Sequence, residues 1–217
     1  MLSPLLGLGD TLTNLSGPPR GEAPEKSAIG LRAVAVWQAL VVALTLLASV
    51  LFGGRARDVL ALWPAPGGWR TYAGAFLAMA ALQLFLAGVQ HSLRHDMVTD
   101  VRPFIGLVRG PDWALAATVV GIGAPLSEEL LFRGFLLAAL AQTRLGFWGA
   151  ALVSTLLWAG LHAGYSLLGL AEVFAIGLFL SWVLWRTGSL RVVIFCHALY
   201  NSLILLALRF VDLPAPG

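Results

Sequence analysis

Charge is scarce in this sequence. Of its 217 residues, 12% are Asp, Glu, Lys or Arg, against roughly a quarter in soluble domains. Lysine occurs once, at Lys26, beside 13 arginines. A single cysteine, Cys196, excludes an internal disulfide, and its apolar neighbours suit packing rather than chemistry. The six aspartates (Asp10, Asp58, Asp96, Asp100, Asp112 and Asp212) all fall in tails, loops or segment edges. No paired aspartates therefore sit within an apolar run. His-Glu-x-x-His, the zinc-protease helix motif, is also missing, and Ser154, Ser166 and Ser181 have no Gly-x-Ser-Gly context. Cys196 directly precedes His197, and helix neighbours point about 100° apart, a poor geometry for a thiolate–imidazole pair.

What fills the chain instead is hydrocarbon: 59% of residues are hydrophobic and the mean hydropathy is +0.84. Six apolar segments span residues 31–53, 71–90, 112–141, 147–164, 167–185 and 190–210. Runs of about 20 apolar residues match the thickness of a bilayer core. The pattern predicts an all-α fold, a polytopic transmembrane helical bundle of about six spans. A large soluble helical core would need polar faces that these runs lack. The third segment is too long for one plain span and carries Gly121, Gly123 and Pro125, which predicts tilting, kinking or breakage. Short loops after it predict a compact antiparallel bundle of the last four segments. No internal repeat is evident.

The chain thus divides into an N-terminal tail (1–30), two helices with their loops (31–111), a four-segment core (112–210) and a short C-terminal tail (211–217). The tail is richer in Gly, Pro and Ser, and "MLSPLLGLGD" has no basic start typical of a cleaved signal peptide. With six spans, seven basic residues fall on the side of the termini and six opposite, so the positive-inside rule assigns no orientation. The net charge of +3 and pI near 9.6 come from scattered arginines, the pattern of membrane anchoring rather than of nucleic-acid binding.

Within the spans, the ionisable residues are Glu128, Glu129, Arg133, Glu172 and His197, with His162 near the end of the fourth. Each charge near a bilayer centre costs about 3 kcal/mol on insertion scales, so such groups usually face a bundle interior or wet cavity. All lie in the last four segments, which predicts one polar pocket there. Glu129 and Arg133 are one helical turn apart and can pair, whereas Glu128 points about 100° from Glu129 and has no partner on its own helix. A lone carboxylate in a dry site is a better proton acceptor than one in water. A buried ion-pair cluster that only fixes packing is the alternative. His197 and Asn201 share a face of the last segment and could donate to one oxygen, or simply bond neighbouring helices. His162 shares its face with Trp158 and could equally be an interfacial residue. Glu172 could face the cavity or the interface. His91 and His95 have metal-like spacing, but Arg94 and Asp96 beside them point to a wet membrane edge.

The ordered set Glu-Glu-x-x-x-Arg (128–133), aromatic-x-x-x-His (158–162) and His-x-x-x-Asn (197–201) resembles the signature of the CPBP intramembrane protease family. That family comprises the type II CAAX prenyl endopeptidases and Abi-like bacterial relatives linked to bacteriocin processing and self-immunity. The resemblance covers about residues 112–210. It implies that Glu128, assisted by His162, polarises the attacking water, that His197 and Asn201 hold the oxyanion, and that Glu129 and Arg133 support them. Trp158 stands where the family usually has Phe, which would alter cavity shape. Family names often include metalloprotease, and Glu128, His162 and His197 could ligate Zn²⁺ with an open fourth position. The glutamate-centred mechanism requires no cofactor.

The resemblance implies a membrane-associated protein or peptide as substrate and the lipid bilayer as surroundings. A non-catalytic immunity, scaffold or transport protein would keep the same pocket for binding alone. Arginine-rich, lysine-poor composition fits a GC-rich bacterial source and a plasma-membrane location, and then a bacteriocin-type leader is a more natural substrate than a prenylated CAAX protein.

Overall fold

The computed structural model describes residues 24–94 and 98–211. Most of the N-terminal tail, His95 and residues 212–217 lie outside them. Every regular element among the described residues is helical. Helix α1 (Pro24–Gly53) and the short α2 (Ala56–Val59) precede α3 (Trp69–Ser92). A 3₁₀ turn (Arg102–Phe104) then runs into α4 (Ile105–Arg109). The composite helix α5 (Trp113–Ala141), α6 (Gly146–Gly160), α7 (Leu167–Thr187) and α8 (Leu190–Phe210) complete the chain.

Five of these, α1, α3, α5, α7 and α8, are long and apolar enough to cross a membrane. Their outward faces are hydrocarbon: Leu84 is 76% exposed and Trp37 67%, while Glu129 is fully buried. This inversion, apolar outside and charge inside, marks an integral, multi-pass membrane protein. The fourth expected span differs. Its helix α6 has 15 residues, about 22 Å long at 1.5 Å per residue, short of the roughly 30 Å hydrocarbon core. The helix stops at Gly160, and residues 161–164 turn.

The last four helices pack as expected. α5 contacts α6, α6 contacts α7, α7 contacts α8, and α8 returns to α5. α1 lies against α5, and α3 against α7 and α8. The α7–α8 connection is tight because Gly188 takes a left-handed conformation (φ 59°), and its N–H bonds the Leu184 carbonyl at 2.8 Å.

Helix α5 is not broken by its glycines and proline; it widens into two π turns, Val119–Gly123 and Glu129–Leu136. Pro125 has no N–H to offer the Gly121 carbonyl, so an ordinary turn cannot close there. Side chains from neighbouring helices bond carbonyls of these turns, at Val119 and Phe132 in addition to the backbone N–H groups of Ala124 and Leu137. Gln38 of α1 donates to Val119 O (3.1 Å), Asn201 of α8 to Val120 O (3.2 Å), and Ser154 of α6 to Phe132 O (2.7 Å). Irregular backbone at membrane depth is tolerated because protein groups satisfy it.

Candidate active site

The second π turn carries Glu129 and Arg133 into the bundle centre, where they are 0% and 1% exposed. Arg133 Nη1 donates to Glu129 Oε1 at 3.1 Å, the pairing their spacing predicts. The same oxygen accepts from His197 Nδ1 at 2.7 Å. Glu129 therefore bridges α5 to α8 as well as pairing within its own helix. Glu129 Oε2, together with Arg133 Nε and Nη2, is buried with no hydrogen-bond partner. The guanidinium instead lies over the Trp158 ring, 4.2 Å from its centroid.

Glu128 has no partner on α5, as expected, but α6 supplies one: Trp158 Nε1 donates to Glu128 Oε2 at 2.6 Å. Trp158 also meets both imidazoles edge-on, with centroid distances of 5.1 Å to His162 and 5.6 Å to His197. This crowding needs an empty position on α7. A Cβ at Gly177 would sit 2.6 Å from Thr155 Cγ2, 2.9 Å from Arg133 Nη2 and 3.0 Å from Trp158 Cε3.

His162 lies in the turn beyond α6, its Nδ1 3.2 Å from the Trp158 carbonyl. A carbonyl only accepts, so Nδ1 carries the proton and Nε2 of the neutral ring is a bare acceptor. Burial, first, holds the imidazole below its ordinary pKa of 6.5, opposed by the nearby Glu128 charge. Asn201, one turn after His197, spends one amide proton on Val120 O and keeps the other.

Glu128, Trp158, His162, His197 and Asn201 all line one cavity of about 720 Å³. The structure thus brings together the four expected catalytic positions and Trp158 at its wall, with Glu129 and Arg133 packed behind. Cys196 is buried in the hydrophobic core. The donor types of Glu128, His162 and His197 would suit zinc. Yet among the described residues no three His, Cys, Asp or Glu side chains form a group able to hold a metal ion.

Asp100, a loop residue, joins Glu172 of the fifth expected span on the cavity wall. Asp100, from the loop before α4, accepts from Ser166 N (2.7 Å) and Ser166 Oγ (2.8 Å) at the start of α7. Glu172 faces the cavity, with its Oε2 held by Gln90 Nε2 of α3 at 2.5 Å. Tyr165 and Tyr200 complete this side. Gln38 and Gln90, amides inside otherwise apolar runs, are the signal that marks which faces of α1 and α3 turn inward.

Residues 110–203 match the family of type II CAAX prenyl endopeptidase Rce1-like proteins. A 24.3 kDa uncharacterised protein of Escherichia coli is 32% identical over 146 residues, 66% of this chain and 62% of the relative. The chain therefore spans less than two thirds of that relative's length. No solved structure matches.

Proposed function

We propose that this chain, whose residues 110–203 carry the Rce1-like domain, is an intramembrane endopeptidase that cleaves a membrane-associated protein or peptide. The observation that carries the proposal is the convergence of the Glu128 carboxylate, the His162 and His197 imidazoles and the Asn201 amide on one cavity between lipid-facing helices. Amide hydrolysis needs a base beside the water and donors where negative charge grows.

In this mechanism Glu128 takes the proton of the attacking water, which His162 Nε2 orients by accepting its second hydrogen bond, as the water oxygen bonds the scissile carbonyl carbon. The carbonyl electron pair moves onto its oxygen, which Asn201 Nδ2 and His197 Nε2 receive. Because His197 Nδ1 already donates to Glu129, donation from Nε2 requires the doubly protonated ring. The tetrahedral carbon then re-forms its carbonyl, the C–N bond breaks, and the leaving amine takes the proton from Glu128. The similarity to an Escherichia coli protein supports a bacterial source, and a bacteriocin- or leader-type peptide is then the substrate proposed.

The test is Glu128→Gln in liposome-reconstituted protein, scored by mass spectrometry on a panel of apolar peptides. Cleavage should fall more than a thousandfold, with unchanged gel filtration and melting. Full activity of that variant would defeat the proposal, and wild-type protein that binds but never cuts would favour a non-hydrolytic binder.

A further inference from the structure

Three carboxylates line the cavity, Asp100, Glu128 and Glu172, and among its described lining residues there is no lysine or arginine. Each carboxylate is held by neutral donors: Asp100 by the backbone and hydroxyl of Ser166, Glu128 by the Trp158 indole, Glu172 by the Gln90 amide. Neutral donors stabilise a charge without cancelling it. Arg133, behind the wall, is opposed by Glu129. Arg109 and Arg209 direct guanidinium nitrogens to the backbone carbonyls of Leu208, Val211 and Val108 near the end of α8. A protonated His197 would offset one negative charge and leave two.

The three fields overlap. Tyr165, in the loop before α7, is pushed up to about 12, first by burial and then by Asp100, Glu128 and Glu172 together. Charges felt jointly by one buried phenol act on any ligand filling the same space, and a cavity lined largely by apolar side chains screens them weakly. His197, 5% exposed, lines this space, its Nδ1 taken by Glu129 and its Nε2 given no hydrogen-bond partner among the described residues.

We infer that the cavity selects an apolar segment carrying a cationic side chain close to the cut, and disfavours a carboxylate side chain at the same place. This substrate class rests on the proposed endopeptidase site but is set by Asp100 and Glu172, which take no part in the chemistry.

The experiment uses three fluorescent apolar peptides that differ at one central position, Lys, Gln or Glu. Their binding to full-length Glu128→Gln protein in nanodiscs is read by anisotropy, and their cleavage by wild-type protein is followed in parallel. The Lys peptide should bind at least tenfold more tightly than the Glu peptide. Adding Glu172→Gln, which keeps the shape and size of the side chain, should narrow that ratio to about threefold or less. Asp100→Asn provides the same comparison should the first variant fail to fold. Equal binding of the three peptides, no binding of any, or a ratio untouched by both variants overturns the inference. Discrimination without cleavage by wild-type protein instead overturns the endopeptidase proposal and leaves this one standing.

Discussion

The indole N–H of Trp158 donates to Glu128 Oε2 at 2.6 Å, and the same ring carries the Arg133 guanidinium on its face. One aromatic side chain thus holds the proposed base and contacts the cation that anchors Glu129. Phenylalanine, the usual residue of the resembling family, could form the wall but not the hydrogen bond. The substitution therefore reaches the chemistry as well as the shape of the cavity.

Trp158→Phe tests this division. The ring wall and the cation contact survive, while Glu128 loses its only protein donor in the described structure. A charge-assisted hydrogen bond contributes about 1.5–3 kcal/mol, so kcat should fall about tenfold or more with KM little changed. Steady-state cleavage of a fluorogenic peptide separates the two constants. An unchanged kcat would reduce Trp158 to a packing residue.

The sequence made the inner bundle legible because hydrocarbon runs and a handful of charges obey a strong constraint, the cost of burying charge in lipid. Glu129 and Arg133 pair as their spacing requires. What spacing could not reveal was long-range company. His197 lies 68 positions from Glu129, and Trp158 30 from Glu128, so neither contact leaves a local periodic trace. Apolarity continues past Gly160 although the helix does not, so the pattern predicts a longer α6 than forms. Asp100 lies in a loop with no periodic signal, yet that loop reaches back to the start of α7.

Arg133→Met should destabilise the fold severely. It leaves Glu129, fully buried, with His197 as its remaining partner. Removing one member of a buried pair typically costs about 3–5 kcal/mol. Thermal unfolding in detergent, followed by tryptophan fluorescence, should show a large drop in melting temperature. The double variant Glu129→Gln/Arg133→Met should recover part of it, since no lone charge then remains.

Gly177→Ala probes the crowding around Trp158. Its new methyl meets Thr155, Arg133 and Trp158 at 3.0 Å or closer, whereas one at Gly160 meets nothing within 4 Å. Overpacking a tight interior costs about 1–3 kcal/mol. Gly177→Ala should therefore lower both the melting temperature and the cleavage rate. Gly160→Ala, the control on α6, should leave stability within about 0.5 kcal/mol.

His162 predicts a pH dependence with a definite sign. In the unfolded chain its imidazole takes up a proton at its ordinary value of 6.5, while burial holds the folded-state value lower. Above 6.5 both states are neutral at this position, and the residue contributes no pH dependence. As pH falls through 6.5 the unfolded state binds the proton first, so stability declines until the folded-state value is passed. The burial cost outweighs the Glu128 attraction that opposes it, which fixes the direction. Cleavage that needs a bare Nε2 should by the same argument persist below pH 6.5, because the folded ring stays neutral there. Melting temperatures of wild-type and His162→Asn protein at pH 7.5 and 5.5 check the linkage: the wild type should lose more on acidification than the variant. An equal loss in both would place the ring in water rather than in the cavity wall.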